Sequence, residues 1–202
     1  FYAREWAKAA KEAGMKYAVL TTKHHEGFCL FDTQYTDFKI TNTPFGRDLV
    51  REYVDAFRAE GIKVGFYYSL LDWHHPDYTI DKNHPRRDDP DAVEYNKTCD
   101  MKRYAEYMRN QVRELLTNYG EISILWFDFS FKADPVKYPQ FPGKSKEDWE
   151  AEKLIAVARE LQPGIIIDNR TDLEQDLHTP EQYQVEQWPR HKETGELLTW
   201  EA

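Results

Sequence analysis

The apolar residues of this chain follow two alternating patterns, one with the period of a helix and one of short unbroken runs. Helical spacing predicts amphipathic helices over residues 3–14, 48–61, 92–119 and 144–164, and a Ser145-x-x-Asp148 capping signal opens the last of them. Strands are predicted between the helices, in the runs KYAVLTT, IKVGFYYS, EISILWFDF and IIIDNR. The first run is continuous enough to predict burial on both faces. Helices that alternate with short apolar strands indicate parallel βαβ units.

Two architectures are built from such units, an open doubly wound sheet and a (β/α)8 barrel. No glycine-rich phosphate-binding loop follows a predicted strand, which weakens the nucleotide-binding form of the open sheet. Polar residues instead collect at the carboxyl ends of the strands, where barrels carry their chemistry. These clusters are Lys23-His24-His25, Tyr67-Tyr68-Ser69, Asp128 and Asp168-Asn169-Arg170. The pattern favours an α/β fold of the (β/α)8 TIM-barrel type, with only a partial barrel of about four βα units in this chain.

Two long polar segments connect predicted strands to the helices that follow them. They span Asp72–Asn96 and Ser130–Lys146, and both lie on the rim side of the predicted barrel. Long strand-to-helix loops of this kind usually form the walls of binding pockets. We therefore expect them to stand around the polar clusters at the strand ends.

Composition and charge narrow the classes of partner. The 202 residues are 41% hydrophobic and 15% aromatic, which suits one domain with a sizeable core. A net charge of −9 argues against nucleic acid or an anionic membrane surface as the main partner, since both need a positive face. Cys29 and Cys99 are too few for a disulfide framework. The opening FYAREWAKAAKEAG has the pattern of a helix interior, so we expect a piece of a longer chain and leave the compartment open.

The adjacent residues His24 and His25 at the end of the first predicted strand have three interpretations: metal ligands, solvated loop residues, or hydrogen-bond partners of a neutral ligand. His74-His75 repeats the doublet, which makes a metal-dependent hydrolase worth considering. However, adjacent strand residues point to opposite faces, and the chain has neither a cysteine cluster nor an H-x-H pair on its first strand. Hydrogen bonding to a neutral ligand is therefore favoured, with both rings reaching one pocket if the chain bends there.

Asp128 is a carboxylate at the end of the apolar run ILWFDF. An ionised group there needs either compensating partners or a function. Glu181 and Glu186 follow in the aromatic-containing segment DLHTPEQYQVEQW. A glutamate on a loop that faces a buried aspartate is the arrangement a glycosidase needs, although a glutamate in a polar loop is by itself a weak signal.

Together these residues resemble the central part of a retaining α-L-fucosidase of glycoside hydrolase family 29. The resemblance is carried by LTTKHHEGFCLFDTQYTDF, GRDLVREYVDAFRAEGIKVGFYYSLLDW, LWFD and DLHTPEQY, and it runs across nearly the whole chain. The K-H-H-[DE]-G-F and Y-Y-S-x-x-D-W elements are highly specific in combination. Glu26 stands where the family often has aspartate, which is a conservative departure.

The resemblance implies a role for each matching position. Asp128 would be the nucleophile and Glu181 the acid/base, with Glu186 as the alternative acid/base. His24 and His25 would bind fucose hydroxyls, and Tyr67 would line the sugar pocket beside the nucleophile. The C5 methyl group of fucose calls for an aromatic wall, for which Trp126 and Trp73, and also Phe127 and Trp188, are candidates. No cofactor and no metal is implied, because carboxylates perform both proton transfer and nucleophilic attack.

The chain departs from the family pattern at both ends. The family's first strand with its pocket histidine does not occur here, nor does the C-terminal β-sandwich, so residues 1–202 are expected to be a partial catalytic barrel. The expected function is a retaining α-L-fucosidase that acts on a fucosylated glycan or glycoside; the alternative is a fucose-binding fragment with little or no hydrolysis. Unpaired barrel edges predict a homo-oligomer. Members of the family are often secreted, periplasmic or lysosomal.

Overall fold

A computed structural model describes residues 1–180, 187–191 and 193–201. Its helices and strands alternate along the chain, and a short 3-10 turn at Ile40–Asn42 lies between the first strand and the second helix. The elements are α1 (Ala3–Glu12), β1 (Tyr17–Lys23), α2 (Leu49–Ala59), β2 (Lys63–Ser69), α3 (Ala92–Asn96), α4 (Met101–Asn118), β3 (Ile124–Asp128), α5 (Ala151–Leu161) and β4 (Ile166–Ile167).

The strands form one parallel sheet in the order β1-β2-β3-β4. Val19, Gly65, Ile124 and Ile166 form one row across it. A Cβ at position 65 would lie 2.9 Å from Val19 Cγ2 and 3.1 Å from Ile124 Cβ, so glycine lets these neighbours pack over the middle of the row. Consecutive parallel strands joined by helices confirm the prediction of an α/β, partial-barrel fold.

The core lies between the sheet and the helices. Side chains on that face of the strands are buried, among them Phe66, Tyr68, Leu125 and Phe127. The opposite face is open: Tyr17, Val19 and Ile166 are 44%, 37% and 41% exposed and border a hollow. The prediction that β1 is buried on both faces was therefore wrong. One set of side chains in its continuous apolar run packs against the helix layer. No described helix covers the other set.

The single helix predicted over residues 92–119 is interrupted. It divides into α3 and α4, with residues 97–100 between them. Asn96 at the end of α3 exchanges two hydrogen bonds of 2.7 Å with the backbone of Ile80, and Asp100 caps α4 through the Lys102 N–H. The side chain of Asn96 bonds to the rim loop, and the Asp100 cap starts a new helix. Both are polar interactions, so apolar periodicity alone did not reveal the break.

The last helix begins later than its capping signal predicts. Asp148 does accept a hydrogen bond from the Ser145 N–H at 2.9 Å, but this closes a turn rather than a helix. Glu150 then adopts a left-handed conformation (φ 45°), and α5 starts at Ala151. Over the described residues, none of the helices combines the length and apolarity needed to cross a bilayer.

Candidate active site

The carboxylate of Asp128 is fixed from two sides at the end of β3. Its Oδ2 accepts a hydrogen bond of 2.7 Å from the Tyr67 hydroxyl, and its Oδ1 accepts one of 2.9 Å from the Arg170 guanidinium. The side chain is 13% exposed. The strand register explains the meeting, since Asp128 pairs with Ser69 and Tyr67 precedes Ser69 by two residues on the same face. Charge-assisted bonds from both sides hold the carboxylate in one orientation.

Burial, reinforced by the hydrogen bond to Asp128, raises the pKa of the Tyr67 phenol well above its ordinary value. Tyr67 therefore remains protonated at neutral pH and acts as the donor in its bond to Asp128. Beyond the strand end, Phe129 adopts a φ of 97°, which is unusual for a residue with a side chain. Left-handed backbone of this kind collects at functional sites, where the surrounding structure holds it in place.

His24 and His25 lie on the same side of the chain because β1 ends in a turn. The Gly27 N–H donates to the His24 carbonyl at 3.0 Å, and Gly27 has a φ of 85°. The two imidazole rings lie 4.0 Å apart between centroids, and His24 stacks on Tyr67 at 5.7 Å. Both rings can reach one pocket only if the chain bends after β1, and this bend is present.

The His25 ring is held from several directions. Its Nδ1 lies 2.7 Å from Ser69 Oγ, and the Ser69 hydroxyl donates to the Leu71 carbonyl. The same hydroxyl oxygen accepts the Leu71 N–H at 3.0 Å, so Ser69 is itself fixed and holds the ring through Nδ1, which leaves Nε2 for other partners. Trp73 and Phe129 pack against the ring edge-on, at 5.4 and 5.1 Å.

The pKa of His25 is lowered from 6.5 to about 4, chiefly by burial and then by the neighbouring His24, while the charge of Asp128 opposes the shift. At neutral pH the ring is therefore uncharged. A neutral imidazole both donates and accepts hydrogen bonds, which suits a ligand made of hydroxyl groups.

Two of the aromatic candidates, Trp126 and Phe127, lie on opposite faces of the sheet, and the other two lie outside the strands. Trp126 stacks on Tyr67 at 5.4 Å on the open face, and its indole N–H donates to Glu201. Trp73 stands behind His25 and donates its backbone N–H to the His25 carbonyl at 2.8 Å. Phe127 is fully buried in the helix-side core, away from the site, because it alternates with Trp126 along the strand. Trp188 is 57% exposed and donates to the Leu198 carbonyl.

Glu181 and Glu186 lie outside the described residues. The segment that leads to them is anchored by Asn169, whose side-chain oxygen accepts hydrogen bonds from the backbone N–H and the hydroxyl of Thr179, at 3.0 and 3.2 Å. The acid/base assignment therefore stays a prediction.

Two ionisable residues of the site had no role predicted from the sequence. Arg170 pairs with Asp128, and its guanidinium lies 5.6 Å from the ring centroid of Trp126. Asp168 is fully buried and accepts the Phe127 N–H at 3.0 Å, so it holds the backbone just before Asp128. Burial raises the pKa of Asp168 well above its ordinary value, against the opposing charge of Arg170. The only sequence signal was their place in the polar cluster after the fourth predicted strand.

The histidine doublets do not converge on a metal position. His74 stacks on Phe38 at 4.1 Å, and His75 packs against Tyr107 at 4.4 Å. Among the residues that the structure describes, no three His, Cys, Asp or Glu side chains are grouped so that they could hold a metal ion.

Comparison with known proteins gives one consistent family. The family model described as Alpha-L-fucosidase matches residues 1–202. Alpha-L-fucosidase 1 of Arabidopsis thaliana is 30% identical over 82% of this chain and 28% of its own length. The structure of Alpha-L-fucosidase isoenzyme 1 from Paenibacillus thiaminolyticus is 50% identical and superposes with a TM-score of 0.86, over 99% of this chain and 47% of that one.

A third relative was solved with a ligand. It is the alpha-L-fucosidase AlfC from Lactobacillus casei in complex with alpha-L-fucose product, which is 26% identical with a TM-score of 0.70 and covers 92% of this chain and 56% of its own. The chain thus spans between about a quarter and just over half of these three relatives. Since the family model matches along the whole sequence, the chain belongs to the α-L-fucosidase family.

Proposed function

We propose that this chain carries the nucleophile and the sugar-binding side of a retaining α-L-fucosidase, which hydrolyses terminal α-linked fucose. The observation that carries the proposal is the Asp128 carboxylate, fixed by Tyr67 and Arg170 next to the stacked rings of His24 and His25. Asp128 attacks the anomeric carbon and forms a covalent fucosyl-enzyme. Glu181, or Glu186 in its place, protonates the leaving oxygen and then activates the water that releases fucose.

The neighbouring residues supply binding and orientation. His24 and the Nε2 of His25 hydrogen-bond sugar hydroxyls, and the stacked rings of Tyr67 and Trp126 form the apolar wall for the C5 methyl group. Trp73 supports this arrangement from behind His25. The substrate class is a fucosylated glycan or glycoside. Carboxylates supply both the nucleophile and the proton transfers, so the proposed reaction needs no cofactor.

Two other functions have less support. A fucose-binding fragment with little hydrolysis would not need a carboxylate held between a hydroxyl and a guanidinium, and the three relatives named above are all fucosidases. A metal-dependent hydrolase would need ligands that converge, and the doublets His24-His25 and His74-His75 are each packed against aromatic rings.

The proposal is tested by hydrolysis of a chromogenic α-L-fucoside. We expect release of the chromophore, with α-L-fucose as the first anomer seen by NMR, because two displacements at the same carbon retain the configuration. The matching β-L-fucoside serves as the control substrate and should be inert, and EDTA should leave the rate unchanged. β-L-Fucose as the first product, or a rate abolished by EDTA, would contradict the mechanism.

We also propose that residues 1–202 form the central part of the catalytic barrel, and that copies of this chain associate through the open sheet. Among the described residues, β1 pairs in the sheet only with β2, and β4 only with β3. Tyr17, Val19 and Ile166 present apolar surface on the open face. Ile167 already bonds to Asp176 and Leu177 on the outer edge of β4, so the exposed apolar face and the β1 edge are the surfaces that favour self-association.

Light scattering at micromolar concentration tests this association, and we expect a mass above 24.1 kDa. Val19→Lys should shift the protein toward the monomer, because it places a charge in the middle of the open face. Val136→Lys is the matched control: Val136 is 93% exposed in the loop after β3, so the same substitution there should leave the mass unchanged. A wild-type protein that is monomeric under these conditions would refute the association.

A further inference from the structure

A buried ion pair joins the two chain segments that carry the histidine doublets. Lys23 Nζ lies 3.1 Å from Asp72 Oδ2, and the two side chains are 0% and 2% exposed. The ammonium also lies 4.4 Å from the ring centroid of Tyr68 and 3.5 Å from the Tyr104 hydroxyl. Lys23 immediately precedes His24 in the chain, and Asp72 immediately precedes Trp73. The pair therefore connects the end of β1 to the start of the loop after β2.

An irregularity in the sheet turns Lys23 into this position. Tyr17, Val19 and Thr21 alternate on the open face of β1, so a regular strand would place Lys23 on that face as well. The register instead shifts after Thr21, and Lys23 pairs with Tyr68 on the helix side. A bulge of this kind re-aims a side chain. Here it sends a charged group into the core and leaves the following histidines at the site.

The second carboxylate oxygen of Asp72 organises the loop. Its Oδ1 accepts the backbone N–H groups of His74 and His75, at 3.1 and 3.0 Å. Both oxygens are therefore used, one toward each segment. Because a buried carboxylate is costly unless its oxygens are satisfied, these contacts fix the side chain in one place.

The turn that carries the histidines fits closely against this carboxylate. A Cβ at Gly27 would lie 2.1 Å from Asp72 Oδ1 and 3.0 Å from His74 Cβ. The Trp73 N–H, one residue after Asp72, donates to the His25 carbonyl at 2.8 Å. The position of Asp72 therefore determines how near the loop approaches His25, whose ring packs on Trp73.

Stability alone does not account for the pair. Removing two charges from water is costly, and replacing both partners of a buried ion pair by neutral groups is often tolerated, whereas removing one partner is strongly destabilising. A buried pair is best explained where it sets the register of the elements that it joins.

We propose that Lys23 and Asp72 are positioning residues that place His25 and its neighbour His24 for sugar binding. The inference rests on the proposed function in so far as fucose is the ligand. The pair holds the β1 turn against the β2 loop at one separation, and the imidazoles then stand at a fixed distance from the Asp128 end of β3.

The test is the double variant Lys23→Met/Asp72→Asn. Asparagine keeps an oxygen for the His74 and His75 N–H groups, and the neutral pair leaves no charge buried without a partner. We expect kcat/KM for the chromogenic α-L-fucoside to fall about 100-fold, mostly through a rise in KM, because the histidines bind the ground state and the transition state alike. A merely structural role would instead lower the folded fraction, and with it kcat, at unchanged KM.

A second readout needs no substrate. Nuclear Overhauser contacts from the His25 ring to the rings of Trp73 and Phe129 report its position in the ligand-free protein. They should weaken in the double variant. If the wild type hydrolyses no fucoside, the proposed function fails while this measurement still decides the positioning role.

Arg109 and Glu150 provide the matched control. They form a partly buried ion pair between α4 and the residue before α5, outside the site. Arg109→Met/Glu150→Gln should leave KM and the His25 contacts unchanged. If Lys23→Met/Asp72→Asn does not fold, Gly27→Ala decides, since it keeps both charges and forces the turn away from Asp72. Unchanged KM and unchanged ring contacts in a folded double variant, or unchanged KM in Gly27→Ala, would overturn the proposal.

Discussion

Replacing Asp128 by alanine should lower kcat for a chromogenic α-L-fucoside by roughly 10³-fold or more, the size of loss seen when a nucleophile is removed. The reason is that Tyr67 and Arg170 hold the two carboxylate oxygens in place at the strand end, where the proposed attack on the sugar takes place. Alanine leaves both donors in place and removes only the oxygens that are proposed to attack the sugar. The measurement is the steady-state rate of the purified variant.

Azide should restore part of the lost activity. In the proposed mechanism the space vacated by the Asp128 side chain faces the anomeric carbon, so azide that enters there should displace the leaving group once and yield the fucosyl azide of inverted configuration. Asp55→Ala, an exposed aspartate on α2, is the control and should retain the wild-type rate. Activity of Asp128→Ala equal to wild type would rule out Asp128 as the nucleophile.

Substitution of Asp168 should not cause the loss of activity expected for Asp128. We expect Asp168→Asn to keep activity and to stabilise the fold at neutral pH. The pKa of Asp168 is raised by burial, so the folded protein retains a proton that the unfolded chain releases above the ordinary value of 3.8. The stability associated with that proton is complete below 3.8 and is lost as the pH rises toward the folded-state pKa. Asparagine resembles the protonated acid and has no proton to lose.

Urea unfolding at several pH values measures this difference. The gap in unfolding free energy between Asp168→Asn and wild type should be smallest at about pH 4 and should widen as the pH rises. Asp168→Ala removes the acceptor of the buried Phe127 N–H and should cost about 1–3 kcal/mol at about pH 4, and this cost should shrink as the pH rises because the wild type loses the stability associated with its buried proton. Parallel pH curves for wild type and Asp168→Asn would show that Asp168 is ionised in the folded protein.

The local pattern of the sequence predicted the helices and strands better than it predicted the contacts between them. Apolar runs predicted the four strands found in the described part of the chain, and polar residues at strand ends predicted the position of Asp128, His24 and His25. The pattern did not reveal the break before α4, because the break depends on hydrogen bonds between the Asn96 side chain and the backbone of a loop residue, Ile80. Nor did it show the open face of β1, since an apolar run looks the same whether one face or both are covered.

The missed residues of the site form contacts over long distances in the chain. Arg170 meets Asp128 across 42 positions, and Lys23 meets Asp72 across 49. Such pairs depend on strand register and on the bulge after Thr21, and neither leaves a signal in the residues themselves. Lys23 and Asp72 both lie within the matched motifs, but the family resemblance implied roles for the histidines and not for the ion pair beneath them.

Because burial lowers the pKa of His25 to about 4, its imidazole stays unprotonated in acidic solution until the pH approaches that value. An imidazole that stays uncharged at about pH 5 keeps its proposed hydrogen bonds to the sugar in mildly acid media, where an ordinary histidine would already be cationic. The unfolded chain, however, takes up a proton at this residue near pH 6.5, so the contribution of His25 to folding is complete above that pH and declines as the pH falls toward 4. The burial that keeps His25 uncharged in mild acid therefore also makes the fold less resistant to acid unfolding.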